Sequence, residues 1–303
     1  MTIRFIAEIG SNHNQSWERA VKLIGAAYKA GCWGVKFQLF KADRLYAPGF
    51  DAQIKESKQR ELPEDWLESL HNACQSLGLK FGCTPFDLKA VAALAPHVDW
   101  LKVSAFDIRR EDLIMACMRT GKPLMLNVGM ARGRDIIKLK ELTDKANHAE
   151  PLTLMHGVSN YPTALKDCHM RESLGRIVRL AGSGQIDPPV LGWSDHTVSN
   201  AAIYSAVRHG AEVVECHFDM RLEDFDMRLE DIDSEFDRGS ESVYGHCWSY
   251  GQLKALISTV RDLEKASGPD GSWKHDPEGD WDKWMADPED GMRPLKEYRE
   301  VLK

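Results

Sequence analysis

Eight short runs of β-type sequence, each followed by a stretch with helical spacing, recur along most of this chain. The runs fall at residues 4–9, 34–39, 80–83, 100–104, 123–128, 152–156, 190–193 and 212–216. Between them, 16–30, 65–77, 89–94, 110–120, 134–145, 169–180 and 200–209 carry apolar residues three and four apart, as in Ala20, Val21, Leu23, Ile24, Ala27 and Tyr28. An eighth such stretch, 250–266, closes the series. Gly31, Gly78, Gly121 and Gly210 stand where helical patterns stop, the residue that a left-handed C-terminal turn needs. Strands alternating with helices pair in parallel, and eight such units in about 265 residues match one (β/α)8 TIM barrel. An open doubly wound sheet is the alternative, but eight units in one run favour closure.

Three segments break the rhythm. Residues 40–63 form a long charged connection after the second strand, with Pro48 and Gly49; a loop of that length is functional or mobile. An acidic insertion after the eighth strand, 218–241, holds a tandem heptad that runs from Phe218 to Asp224 and again from Phe225 to Asp231. The last segment is rich in Trp, Pro, Asp and Gly, and Trp273, Trp281 and Trp284 are too apolar to leave in water. The expected organisation is a catalytic barrel over 1–267 and a tail, 268–303, lying on it.

Composition narrows the function. Lys plus Arg number 39 against 46 Asp plus Glu, a net charge of −7 with no basic block, so nucleic acid is a poor partner. No apolar run approaches the roughly 18 residues a membrane helix needs. The first ten residues enter a strand pattern without a basic head or cleavage site, so no secretory leader is expected. Seven scattered cysteines without a Cys-x-x-Cys pair argue against disulfides and structural zinc, and for a reducing cytoplasm.

The chemistry is carried by polar residues at the ends of apolar strands, which in a barrel line the mouth. Glu8 closes the first strand, and Lys36 and Gln38, on one face, close the second. Thr84 follows the third, Lys102 and Ser104 lie at the fourth, and Asn127 at the fifth. His156 ends the sixth, Ser194, Asp195 and His196 the seventh, and Glu215 and His217 the eighth. Lys36 and Lys102 can converge on a phosphate or carboxylate, or be spent in ion pairs with Glu8, Asp107 or Glu215. His196 and His217, at adjacent strand ends, can bind one divalent metal, with Asp195 orienting or ligating and His246 nearby in sequence. Asn12-His13-Asn14 is a capping turn or a substrate contact, and Tyr161 packs under the rim or stacks on a sugar. No Walker loop, dinucleotide fingerprint or Gly-x-Ser-x-Gly elbow occurs.

Over residues 5–266 the chain resembles the sialic acid synthase family, which condenses phosphoenolpyruvate with an N-acylated amino-sugar aldehyde. The motifs are Ile6-Ala-Glu-Ile-Gly-Ser-Asn-His-Asn14, Val35-Lys-Phe-Gln38, Cys83-Thr-Pro-Phe-Asp87, Gly121-Lys-Pro123 with Gly129-Met130, Tyr161-Pro162, Gly192-Trp-Ser-Asp-His-Thr197 and Glu215-Cys-His-Phe218. Their shared order at barrel spacing makes the match specific. The resemblance implies a Mn2+ or Mg2+ ion on His196 and His217. It places Lys36, Thr84, Lys102 and Ser194 near phosphoenolpyruvate, and Glu8, Gln38 and Tyr161 near the sugar. A homodimer is expected by the same analogy. The implied product is a nonulosonic, sialic-type 3-deoxy-2-keto sugar acid, with Glu8 or a metal-bound water handling the proton.

Departures from the family pattern bear on the substrate. A Ser-Thr-Gly-Met run is replaced by Asn127-Val128-Gly129-Met130, and an Ala-Ser-Gly-Asp run by Ser104-Ala105-Phe106-Asp107. Ser104 and Asn127 retain hydrogen-bonding groups there. A Gly-Pro-Asp run gives way to the acidic insertion and Tyr244-Gly-His-Cys-Trp248, where His246 is expected to return to the mouth as a sugar contact. The family's antifreeze-like C-terminal domain is not expected in this chain. A metal-dependent aldolase or lyase on the same barrel is the competing reading, and a non-catalytic binding subunit a further one.

Overall fold

The computed structural model describes residues 2–220, 239–267, 288–290, 292–293 and 296–300. Eight parallel strands close into a barrel in chain order, with β8 pairing back onto β1. They are β1 (Arg4–Gly10), β2 (Gly34–Leu39), β3 (Lys80–Pro85), β4 (Trp100–Val103), β5 (Leu124–Asn127), β6 (Thr153–His156), β7 (Val190–Asp195) and β8 (Val213–His217). The helices between them are α1 (Trp17–Ala30), α2 (Ala42–Leu45), α3 (Asp51–Lys58), α4 (Leu67–Ser76), α5 (Leu88–Leu94), α6 (Glu111–Arg119), α7 (Gly133–Ala146), α8 (Met170–Gly182) and α9 (Asn200–Arg208); α10 (Tyr250–Ser267) follows β8.

All four helix-stop glycines adopt positive φ. Ser16 caps α1 by accepting from the Arg19 amide, and Gly31 ends it in the left-handed region. The connection over 40–63 is not a bare loop, because it carries α2 and α3. Its charged composition has too few apolar positions to announce them.

Strand alternation divides the side chains. Val35, Phe37, Leu101, Val103, Leu154, Val214 and Cys216 join the buried layer under the helices. The opposite set points into the barrel, where Ile6, Trp100, Met125, Met155 and Val213 fill the lower part. Trp100 fits because Gly82 and Gly34 flank it: a Cβ would lie 2.0 Å from its ring at Gly82 and 2.8 Å at Gly34. One step up, the inward positions are Glu8, Lys36, Lys102, Asn127, Ser194 and Glu215. His156 is a correction to the expected polar mouth. It alternates with inward Met155, stacks on Trp193 at 5.9 Å, and so faces the helical layer.

The chain separates into Thr2–Arg261 and Asp262–Lys303. Most of the duplicated heptad (221–231), Trp273, Trp281 and Trp284 lie outside the described residues. All seven cysteines are buried free thiols, as the absence of a pairing pattern implies. Among the described residues no helix is long and apolar enough to cross a membrane.

Candidate active site

Register brings the charged residues together. Glu8 of β1 lies opposite Lys36 of β2 and His217 of β8, Gln38 opposite Thr84, and Ser194 opposite Glu215. Lys36 Nζ sits 2.6 Å from Glu8 Oε2 and 3.7 Å from Glu215 Oε2, and donates to Thr84 Oγ1 at 3.0 Å. Lys102 Nζ pairs closely with Glu215 Oε1 and donates to Ser194 Oγ at 3.2 Å. Ser194 Oγ in turn donates to Glu215 Oε1 at 3.0 Å, and Gln38 Nε2 to Glu8 Oε1 at 2.7 Å. The two lysines therefore converge, and both are held by carboxylates. Glu215 is the central partner, a residue that the sequence reading placed at the mouth and gave an ion-pair option but no role in binding or catalysis.

Burial sets the ionisation of this array. It raises Glu8, and the neighbouring Glu215 carboxylate adds to that against the pull of Lys36. Burial acts upward on Glu215 too, but Lys102 and Lys36 outweigh it and hold the group at about 2. Burial works against the Lys36 ammonium, yet Glu215 and Glu8 push it above its ordinary value. Lys102, with one carboxylate close by, is lowered by burial and by the Lys36 charge. The two carboxyls are thus pushed in opposite directions, Glu8 up and Glu215 down.

Beside this array lies a cluster of rings. His196 and His217 have centroids 5.2 Å apart, His217 and His246 4.5 Å, and Tyr161 stands 4.2 Å from His196 and 4.9 Å from His246. His196 Nδ1 is 2.6 Å from the Val158 carbonyl, and His217 Nδ1 is 2.7 Å from Glu241 Oε2. Both partners only accept, so both Nδ1 atoms carry the proton, and in the neutral form of each ring Nε2 keeps its lone pair. Burial pushes His196 well down, whereas on His217 burial is outweighed by the hydrogen bond and charge of Glu241, which raise it. Burial drops His246 to about 4, aided by His217, and its buried Nδ1 has no hydrogen-bond partner. The segment after β8 places His246 in this ring cluster.

Asp195 is a correction. It shares the outward face of β7 with Trp193, away from the mouth, and is fully buried. It accepts from both indole N–H groups, Trp193 at 3.1 Å and Trp248 at 2.9 Å, from Thr197 Oγ1 at 2.8 Å, and from the Thr197 and Val198 amides. It shapes the turn that presents His196, and both of its carboxylate oxygens are taken up by these donors. Asp195→Ala is expected to lower stability by about 3 kcal/mol or more, because several buried donors lose their acceptor. Mn2+ affinity of the folded fraction should fall as well, because the turn that presents His196 loses its anchor, checked by urea unfolding beside a metal titration.

Ser104 and Asn127 stand at their strand ends, each with its oxygen engaged locally. Ser104 Oγ accepts from the Phe106 amide at 3.3 Å and Asn127 Oδ1 from the Gly129 amide at 2.9 Å, leaving Asn127 Nδ2 as a donor. Asn12 and His13 are buried turn residues, with Asn12 bridging the Phe218 carbonyl and the Glu241 amide.

Residues 23–271 match the NeuB family. The chain belongs to that family. It is 30% identical over 288 residues to the N,N'-diacetyllegionaminic acid synthase of Legionella pneumophila, covering 88% of this chain and 74% of the relative. It is 29% identical to the N-acetylneuraminate-9-phosphate synthase of Drosophila melanogaster, covering 88% and 70%. The crystal structure of an N-acetylneuraminic acid synthetase from Leptospira borgpetersenii superposes with a TM-score of 0.75 at 23% identity, over 91% of this chain and 88% of that one, which establishes the shared fold. NeuB relatives are named as synthases, and this NeuB chain is an enzyme of that carbon–carbon bond-forming class.

NeuB-family synthases are metal-dependent in general, and the donors present here fit a divalent ion. His217, Glu241, His246 and Cys247 each offer a ligand atom within 4.8 Å of the others. Of these, Glu241 is committed to His217 Nδ1, and burial pushes the Cys247 thiol up to about 12, against ligation as a thiolate. His196 stands outside that group, and its Nε2 together with that of His217 offers a second pair of imidazole donors. Two imidazoles suit an ion of the Mn2+ type better than Mg2+, which prefers oxygen.

Proposed function

We propose that this NeuB-family barrel condenses phosphoenolpyruvate with the open-chain aldehyde of an N-acylated amino sugar, giving a nonulosonic 3-deoxy-2-keto acid and phosphate. One observation supports this above the rest: two buried lysines and two imidazoles whose Nδ1 atoms are already engaged share one barrel mouth. Lys36 and Lys102 take the phosphoenolpyruvate charges, with Thr84, Ser194 and Asn127 Nδ2 as neutral donors. A divalent ion on His196 and His217 would supply Lewis-acid polarisation of the aldehyde oxygen. The C3 carbon of phosphoenolpyruvate bonds to the aldehyde carbon, water adds at C2, and phosphate leaves with C–O cleavage. Glu8 takes the proton from that water. Gln38, hydrogen-bonded to Glu8, and Tyr161 and His246 at the rim contact the sugar.

The two relatives differ in product, one named for a phosphorylated acid, so the acceptor is to be found by assay. Purified protein with Mn2+, phosphoenolpyruvate and a panel of 2-acetamido sugars, with and without a terminal phosphate, should release inorganic phosphate only when an acceptor is present. No release with any acceptor, from protein that binds Mn2+, overturns this reading in favour of an aldolase. The aldolase reading draws its support from the local use of the Ser104 and Asn127 oxygens. A cytoplasmic homodimer completes the proposal, tested by sedimentation.

A further inference from the structure

The segment that returns after β8 places one carboxylate where no sequence motif pointed. Glu241 is buried and is fixed at three points. Its Oε2 meets His217 Nδ1 at 2.7 Å, its Oε1 accepts from the Ser11 amide at 2.7 Å, and its own amide donates to Asn12 Oδ1 at 2.8 Å. Gly10 makes the space: its φ is +52°, and a Cβ there would lie 2.2 Å from Glu241 Oε1. Next to it, Asp219 Oδ2 accepts from the Gly239 amide at 2.8 Å and from Ser242 Oγ, while Asp219 Oδ1 pairs with Arg19 of α1. So much buried hydrogen bonding spent on docking one carboxylate against one imidazole needs a purpose beyond packing.

We propose that Glu241 is a positioning residue that fixes the tautomer of His217, holding the proton on Nδ1 and aiming the Nε2 lone pair into the mouth. The proposal rests on the reading of His217 as a metal ligand only for its consequence. The tautomer itself is a property of the metal-free chain. An acceptor behind a ligating imidazole orients the ring and raises its basicity, and losing such a partner costs about 10- to 100-fold in metal affinity. His196 has the same arrangement with the Val158 carbonyl, so the two rings are prepared alike by unrelated partners.

The isosteric Glu241→Gln change makes the test sharp. Its amide has one oxygen, which the buried Ser11 N–H requires; leaving that N–H unpaired costs about 1–3 kcal/mol. The NH2 group then faces His217 Nδ1 and can only donate, so the ring proton must move to Nε2. Imidazole 15N chemical shifts of metal-free protein, recorded in the alkaline range where the rings are neutral, read this directly. Wild type should show His217 protonated at Nδ1. Glu241→Gln should show it protonated at Nε2 with His196 unchanged, a thermal midpoint close to wild type, and Mn2+ binding by electron paramagnetic resonance weakened about 10- to 100-fold. A wild-type ring carrying its proton on Nε2 overturns the proposal even if the variant fails to fold. So does an unchanged tautomer in the variant, including one with weakened Mn2+, which would make Glu241 a ligand itself. A flipped ring with undiminished Mn2+ affinity also overturns it. A flipped ring in a protein whose wild type takes no Mn2+ leaves the positioning role standing and removes the metal reading instead.

Discussion

Replacing His217 with alanine should remove turnover by about a thousandfold or more while leaving the barrel folded, since in the proposed reaction a metal held there would supply several kcal/mol of the barrier reduction. The ring faces the mouth and takes no part in the apolar cluster at the bottom of the barrel, so its loss opens no core cavity. The structural cost falls on Glu241, which keeps the Ser11 amide and loses its other side-chain partner. That loss is worth about 1–3 kcal/mol. Phosphate release and circular dichroism on the same preparation separate the two effects. Equal loss of activity and of folded signal would mean that His217 is structural.

In the proposed reaction Lys102 serves phosphoenolpyruvate as well as Glu215, and two variants divide the roles. Lys102→Met leaves the buried Glu215 carboxylate with the neutral Ser194 hydroxyl at 3.0 Å and the Lys36 ammonium at 3.7 Å. Breaking a buried pair from one side costs about 3–5 kcal/mol. Adding Glu215→Gln removes the stranded charge and should recover most of that stability in urea unfolding. The KM for phosphoenolpyruvate should nevertheless stay about 10- to 100-fold above wild type in both variants, the worth of one charge-assisted contact. A double variant with wild-type KM would mean that Lys102 serves Glu215 alone. The pair also carries a pH signature. Glu215 is held at about 2 against an ordinary 4.5, a depressed carboxylate, so its share of stability is present above the ordinary value and is lost as pH falls toward 2. Variants carrying Glu215→Gln should be flatter across that acid window.

Most of the barrel could be read from the chain because strands and helices carry different periods and four glycines mark helix ends. Each strand lies within two residues of its expected place. The inward set Glu8, Lys36, Gln38, Thr84, Lys102 and Ser194 was legible by alternation, since one buried face admits polar groups only at the mouth. The same rule accounts for the two corrections. Asp195 is adjacent to Ser194 and must face the opposite way, and His156 follows the inward Met155. Short helices α2 and α3 escaped because polar sequence leaves no apolar stripe to count. Glu241 was invisible for another reason. Its partner Ser11 is 230 positions away, and no spacing rule connects residues joined only by closure of the barrel.

Electron spin-echo envelope modulation of the Mn2+-loaded protein tests the pairing of His196 with His217 most directly, by counting the imidazole nitrogens coupled to the ion. The expected result is two in the wild type, one in His196→Ala, one in His217→Ala, and two in His246→Ala. A count unchanged by His196→Ala and lowered by His246→Ala would place the ion on the other side of His217 and contradict the proposed site.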